Sequence, residues 1–252
     1  MFKKYMILLL LGHIVGDFYV QTSNMAQKKA KQVSWVLIHC LIYFFSVSVV
    51  SIPVMSFKIL IMDAVVSIFH LMIDISKYYY VKILEKNCNK RKKKERNIFL
   101  IDQMFHLICL VGIAYYMTNK NISFDKMDFI ANFSDTVGIS EMLVATWILA
   151  LLMIHKPANI LIQKLIGTYK PQNKEKESKE DNNAGRFVGT VERVIMLILM
   201  SMNQYSAIGL VLTAKSIARY DRIVKSEEFA EYYLLGTLIS TAIVIVCTMV
   251  LF

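Results

Sequence analysis

The chain has 252 residues, 56% of them hydrophobic, with a mean hydropathy of +0.48 and a formal net charge of +10. A soluble domain of this length would be less apolar and would alternate its apolar and polar faces more clearly. Apolar runs here approach about 20 residues, the length that crosses the hydrocarbon core of a bilayer. The composition therefore excludes an ordinary soluble domain and predicts an all-α, polytopic bundle of transmembrane helices, folded as a single domain over residues 1–252.

Seven apolar segments are predicted in chain order, at about 4–21, 34–52, 58–80, 97–118, 139–156, 187–214 and 231–252. The first has the charge and length of a signal peptide but no small-residue cleavage site, so we interpret it as a retained helix. Its glycines, Gly12 and Gly16, predict close approach of a neighbouring helix. Pro53 ends the second helix because proline cannot continue the hydrogen-bond ladder.

The connecting stretches differ in charge. Basic residues cluster after segment one, in 82–96, and around a charged, flexible stretch at 170–185, so the positive-inside rule predicts cytoplasmic loops there. Residues 158–169 are predicted to form an amphipathic helix in the cytoplasmic interface. The stretch 119–138 lacks a basic excess and is predicted to be a loop on the opposite side.

Segment six has two interpretations, because Ser201-Met202-Asn203-Gln204 interrupts its apolar pattern. A plain span would leave the basic run from Lys215 to Lys225 outside. A helical hairpin, with arms near 187–201 and 205–218, would re-enter from the cytoplasm, since a break at membrane depth is tolerated when it is buried in protein. The bundle therefore has six or seven membrane segments.

Seven ionisable side chains lie inside the first four segments: His13, Asp17, His39, His70, Asp74, Asp102 and His106. Three His–Asp pairs are spaced i, i+4 and so share a helix face. Because successive helices alternate in direction, the three aspartates and His39 fall about 6–9 Å below one membrane face, with the other histidines one turn deeper. Ionisable groups inside a bilayer are costly and usually mark a functional interior.

Metal binding is the chemistry that these residue types favour. Imidazole suits zinc and other transition metals, and carboxylate adds charge compensation. We expect His13, His70 and His106 to bind a divalent metal, with His39 as a fourth ligand and zinc the first candidate. Asp17, Asp74 and Asp102 would complete the shell or act as general base. Interhelical His–Asp hydrogen bonds without metal, or a proton relay, remain open alternatives.

A second predicted constellation would hold a phosphate or an anionic headgroup on the cytoplasmic side. Its members are Lys156, Glu192, Arg193, Lys215 and Arg219. In the alternative interpretation, Glu192 and Arg193 pair with other interior charges and the remaining residues are interface anchors. The expected partners are membrane lipids and an anionic or lipid-linked substrate, with no specific nucleic acid; the oligomeric state stays open.

Two regions resemble a bacterial family of integral membrane proteins, the domain of unknown function numbered 3307. The first is LLGHIVGDFYVQTSNMAQKK, continued by HLMID and DQMFH; the second is GRFVGTVERVIMLIL, with QYSAIGLVLTAKSIARY and EYYLLGTLIS. The resemblance implies a multi-pass protein of the bacterial inner membrane and the same choice of His and Asp residues, but no activity. More distantly, the scattered His and Asp residues are similar to those of membrane hydrolases such as alkaline ceramidases.

The function expected from these features is a metal-dependent hydrolase that acts on a lipid-linked or amphipathic substrate at the cytoplasmic side. A proton- or metal-ion-coupled transporter or channel would use the same cluster. A non-catalytic sensor would use the basic loop 82–96 for docking. Transporters often contain internal repeats, and no clear repeat is present here, which favours the enzyme.

Overall fold

The computed structural model describes residues 1–85, 91–167, 169–170 and 179–252. In these ranges the chain is all-α without a strand, and eleven α-helices follow in order: α1 Phe2–Ile14, α2 Ser23–Lys29, α3 Val33–Ser51, α4 Phe57–Glu85, α5 Arg91–Asn119, α6 Asp128–Val137, α7 Glu141–Ile166, α8 Lys179–Ser201, α9 Tyr205–Ile217, α10 Tyr220–Lys225 and α11 Glu227–Leu251. Of these, α3, α4, α5, α7 and α11 are long and apolar enough to cross a membrane, and α1 adds a sixth when joined to α2. The predicted multi-pass helical class is confirmed.

The first compact unit covers residues 1–149 and contains a ring of four helices. α1 packs against α3 and α5, and α4 packs against the same two helices, so each member of the ring has two neighbours. Neighbouring helices run antiparallel: Gly12 meets Val47, whereas Gly16, one turn later, meets Tyr43. Buried apolar side chains from all four helices fill one part of the ring, among them Leu9, Val47, Ile59, Val66 and Met117.

Two glycines set the distance between α1 and α3. A Cβ atom on Gly16 would lie 2.7 Å from Cδ2 of Tyr43, and one on Gly12 would lie 3.1 Å from Cγ2 of Val47. Real Cβ atoms do not approach the rigid edge of a buried ring this closely in a well-packed interior. The close helix approach predicted from these glycines is therefore present, and it packs the end of α1 against the C-terminal half of α3.

The chain changes direction sharply after α1. A π-helical turn at Val15–Val20 extends that helix, and the chain then bends by 94° into α2. The side chain of Thr22 caps α2 by accepting a hydrogen bond from the amide of Met25 at 3.2 Å. No residue of α2 is buried. This short helix therefore lies across the end of the ring, outside its core.

Several connections are more helical than expected. Residues 119–138, predicted to be a loop, contain α6, which Gly138 ends in a left-handed conformation with φ +72°. The apolar residues of α6 lie between polar stretches, so the hydropathy pattern did not predict this helix. α4 and α5 extend into the predicted loop 82–96, and residues 86–90 lie outside the described ranges, as do 171–178 of the predicted loop 170–185.

The predicted interfacial helix at 158–169 is not a separate element. α7 continues through Pro157 to Ile166, and residue 168 lies outside the described ranges. Proline removes one backbone donor from a helix, but neighbouring groups compensate for this in a packed bundle. Here the Arg193 side chain donates from Nε to the carbonyl oxygen of Ile154 at 2.6 Å, next to the proline turn.

The second compact unit, residues 150–252, contains a helical hairpin. Nζ of Lys215 lies 2.6 Å from Oε2 of Glu192, although 23 residues separate them. In one continuous helix they would be about 35 Å apart. The chain therefore folds back at residues 202–204, where Asn203 adopts a φ of +58°. The two arms, α8 and α9, agree with the hairpin interpretation of segment six. That this hairpin enters the membrane from the cytoplasmic face stays a prediction.

Exchange of the charges between Glu192 and Lys215 tests this hairpin. Glu192→Lys should lower the melting temperature because it places two ammonium groups together, and the double variant Glu192→Lys/Lys215→Glu should recover most of the loss. A coupling free energy of about 0.5–3 kcal/mol is expected from thermal unfolding in detergent. Arg222→Glu, on exposed α10, is the control and should change the melting temperature little. Additive effects of the two exchanges would contradict the hairpin.

Candidate functional site

The seven predicted His and Asp side chains meet inside the ring of the first unit. α1 and its π-helical turn supply His13 and Asp17; α3 supplies His39; α4 supplies His70 and Asp74; α5 supplies Asp102 and His106. Six of them are buried, and the Asp17 side chain is only 9% exposed. Helix alternation thus places groups from four helices at one level, as the sequence predicts.

Three atoms form the centre of this cluster. Oδ1 of Asp17 lies 3.1 Å from Nε2 of His39 and 3.3 Å from Nε2 of His70, and the two Nε2 atoms are 3.2 Å apart. Oδ2 of Asp74 lies 3.3 Å from Nε2 of His70 and 3.7 Å from Nε2 of His39. His39, expected only as a fourth ligand, is therefore central, and His13 lies at the edge.

The π-helical turn determines where Asp17 points. In a regular α-helix Asp17 would stack one turn above His13, whose Nδ1 lies 4.0 Å from Oδ2 of Asp17. The π turn, closed by a hydrogen bond from the Gln21 amide to the Gly16 carbonyl, places its other carboxylate oxygen against His39. Single π turns inside α-helices occur frequently at functional sites.

Aromatic packing fixes the imidazole rings. The Tyr43 ring stacks on His70 with centroids 3.8 Å apart and an interplanar angle of 8°. The Tyr43 hydroxyl also lies 3.3 Å from Nδ1 of His13. His13 in turn stacks on His106 at 5.2 Å. One tyrosine therefore orients two histidines, a role that neither hydropathy nor spacing predicts.

The two ring nitrogens of His106 differ: Nδ1 is hydrogen-bonded, whereas Nε2 is available to a ligand. Its Nδ1 lies 2.8 Å from the backbone carbonyl of Asp102, an acceptor, so Nδ1 carries the proton. Its Nε2 is then an acceptor, and it is buried without a partner among the described residues. Ligand atoms of Asp74, Asp102 and His106 lie within 4.8 Å of one another.

Two lysines form ion pairs with aspartates of the cluster. Nζ of Lys29, on α2, lies 2.5 Å from Oδ2 of Asp74, and Nζ of Lys77 lies 2.7 Å from Oδ2 of Asp102. With neutral imidazoles, three carboxylates face two ammonium groups, which leaves one negative charge uncompensated. Lys77 shares the polar face of α4 and is detectable from spacing, whereas the position of Lys29 depends on the 94° bend.

The central atoms have the spacing of tetrahedral metal ligands. Metal–ligand bonds of about 2.0–2.1 Å in a regular tetrahedron imply ligand–ligand separations of about 3.3–3.4 Å. The three separations among Asp17, His39 and His70 are 3.1–3.3 Å. These residues therefore fit a tetrahedral ion as three ligands, and Asp74 is the fourth group nearby. The Nδ1 atoms of His39 and His70 have no hydrogen-bond partner in the described chain.

The predicted basic constellation is not assembled as one site. Lys215 pairs with Glu192 and lies over the Tyr233 ring at 5.5 Å. Arg193 is 2% exposed and donates to Ile154, Ser240, Asn159 and Thr190. Lys156 is half-buried on α7, and Arg219 is exposed at the start of α10. Glu192 thus follows the ion-pair interpretation, while Arg193 binds neutral acceptors.

Comparison with known proteins gives a family but no activity. No curated protein and no solved structure matches the chain. The model of the family described as Protein of unknown function (DUF3307) matches residues 5–131, which include all seven His and Asp residues of the cluster and exclude the C-terminal motifs. The chain belongs to this DUF3307 family.

Proposed function

We propose that this protein is a membrane-embedded, metal-dependent hydrolase of the bacterial inner membrane, acting on an anionic amphipathic or lipid-linked substrate at the cytoplasmic side. The observation that carries the proposal is the triangle of Asp17 Oδ1, His39 Nε2 and His70 Nε2, with sides of 3.1–3.3 Å. Two imidazoles and one carboxylate are a ligand set that catalytic zinc uses.

An open coordination position distinguishes a catalytic metal site from a structural one. Asp74 is the fourth group near the centre, and its Oδ2 is paired with Lys29 at 2.5 Å. While this ion pair persists, Asp17, His39 and His70 would hold the metal as its three protein ligands, which would leave a position for water. Zinc bound there would supply Lewis acidity and make a water molecule nucleophilic at neutral pH.

The remaining polar groups have matching roles. The available Nε2 of His106 can take a proton from water, because its Nδ1 is committed to the Asp102 carbonyl. The side chains of Lys29 and Lys77 are 12% and 32% exposed, so their ammonium groups lie at the boundary of the buried cluster, where a ligand from outside can reach them. They are suited to bind an anionic substrate group beside the reacting centre.

A second candidate function rests on the contact between two imidazoles. Two Nε2 atoms 3.2 Å apart attract each other only when one proton lies between them. If both Nδ1 atoms are protonated as well, the imidazole pair carries one positive charge, which would neutralise the single uncompensated charge of the cluster. The same residues would then carry protons in a proton-coupled transporter, and His70 would be essential to it as well.

Metal content and hydrolysis test the primary proposal together. The detergent-purified wild type should contain about one zinc per chain and release product from chromogenic alkyl esters or phosphate esters. His39→Ala and His70→Ala should lose the metal and at least about 100-fold in activity, because each removes a direct ligand. Metal analysis by mass spectrometry and a chelation–readdition assay provide the measurements.

His155→Ala is the matched control, since His155 is the histidine outside the cluster, and it should retain both metal and activity. A metal-free wild type that accepts no metal on titration would overturn the proposal. Metal-independent, His70-dependent proton uptake into proteoliposomes would establish the transporter instead.

Lys29→Met should tighten zinc binding about tenfold or more, because the ammonium group beside Asp74 repels the incoming cation in a site of low dielectric. Lys28→Met is the control on the same helix: Lys28 lies over the Trp35 ring at 4.4 Å, so zinc affinity should be unchanged. Competition with a fluorescent chelator measures both affinities. Equal zinc affinities of the two variants would show that the charge of Lys29 does not weaken zinc binding.

A further inference from the structure

Asp63 is a buried carboxylate that the proposed reaction does not use. It lies on α4, seven residues and therefore about 10 Å before His70. The residue is 1% exposed. Oδ1 accepts a hydrogen bond from the hydroxyl of Ser51 at 3.2 Å, whereas Oδ2 has no partner among the described residues.

The surroundings of Asp63 contain no compensating positive charge in the described chain. Ile59 and Val66, one turn away on either side, belong to the apolar core. No ion pair of Asp63 with a cation is present in the described chain. Four ionisable groups of the packed elements have other partners: Lys4 lies over Phe124, Lys126 pairs with Glu141, Tyr5 donates to the Ile122 carbonyl, and Tyr43 contacts His13. Ser51 is the polar side chain that Asp63 contacts on α3.

An ionised carboxylate in this position would be very costly, because burial of an unpaired charge forfeits its hydration without compensation. A neutral carboxylic acid avoids that cost and keeps the Ser51 hydrogen bond. We propose that Asp63 is a proton-binding site, occupied at mildly acidic pH, at the deep end of the polar face of α4.

The proton site is separate from the His/Asp cluster but connected to it along the helix. Asp63, Ser67, His70 and Asp74 follow at steps of four, three and four residues, which keeps them on one face of α4. The Ser67 hydroxyl donates to the backbone carbonyl of Asp63 at 2.8 Å. No ligand of the proposed metal contacts Asp63 in the described chain, so its proton is held independently of metal binding.

Infrared spectroscopy of the full chain in nanodiscs tests the proposal. At pH 5 the wild type should show a carbonyl stretch of a protonated carboxylic acid that Asp63→Asn lacks. Because the amide has the shape of the neutral acid, the melting temperature of Asp63→Asn should change by less than about 4 °C. Asp74→Asn, which removes a carboxylate paired with Lys29, is the control and should lower the melting temperature further.

Three results would overturn the proposal. Identical carbonyl bands in wild type and Asp63→Asn at pH 5 would mean that Asp63 is ionised even there. A melting temperature that rises when sodium chloride replaces choline chloride, in the wild type but not in Asp63→Asn, would assign the site to sodium. Failure of Asp63→Asn to fold would show that the position requires a charge. Where Asp63→Asn folds, its metal content is expected to equal that of the wild type.

Discussion

The first unit depends on one constraint: charges inside an apolar helical ring must be compensated by other groups of the ring. Lys29 and Lys77 meet Asp74 and Asp102, and Asp17 lies against two imidazoles. Each of these contacts joins two different elements. The same interactions that make the cluster tolerable therefore fix the order and the direction of the helices around it. In this protein the fold and the candidate site have a common physical cause.

The sequence predicted the cluster because two regular properties were sufficient. The i, i+4 spacing assigned His70 and Asp74 to one face, and helix alternation assigned four helices to one level. The finer geometry depends on irregular backbone. Neither the π turn that directs Asp17 to His39 nor the bend that returns Lys29 to Asp74 follows from hydropathy, since both depend on tertiary packing. The central role of His39 was missed for this reason.

In the second unit, the sequence located the break in segment six but misjudged the basic residues. Charge alone grouped Arg193 with Lys215, although neighbouring positions on a helix point about 100° apart. Glu192 consequently faces α9, while Arg193 faces α7 and α11, where a carbonyl, an amide and one hydroxyl accept hydrogen bonds from its guanidinium. A second hydroxyl, that of Thr190, accepts from it within α8. Pro157 helps to explain this choice, because the turn around a proline exposes backbone acceptors that a buried arginine can use.

The π turn gives α1 a particular register. A turn closed by a hydrogen bond over five residues contains one residue more than an α-helical turn, so the chain leaves this helix at Gln21 about 100° out of phase with a regular α-helix. Removal of one residue from this turn would restore α-helical geometry and change the direction in which the chain enters α2. Lys29 would then no longer be directed to Asp74. The chain length of this single turn is thus as much a part of the site as the side chains themselves.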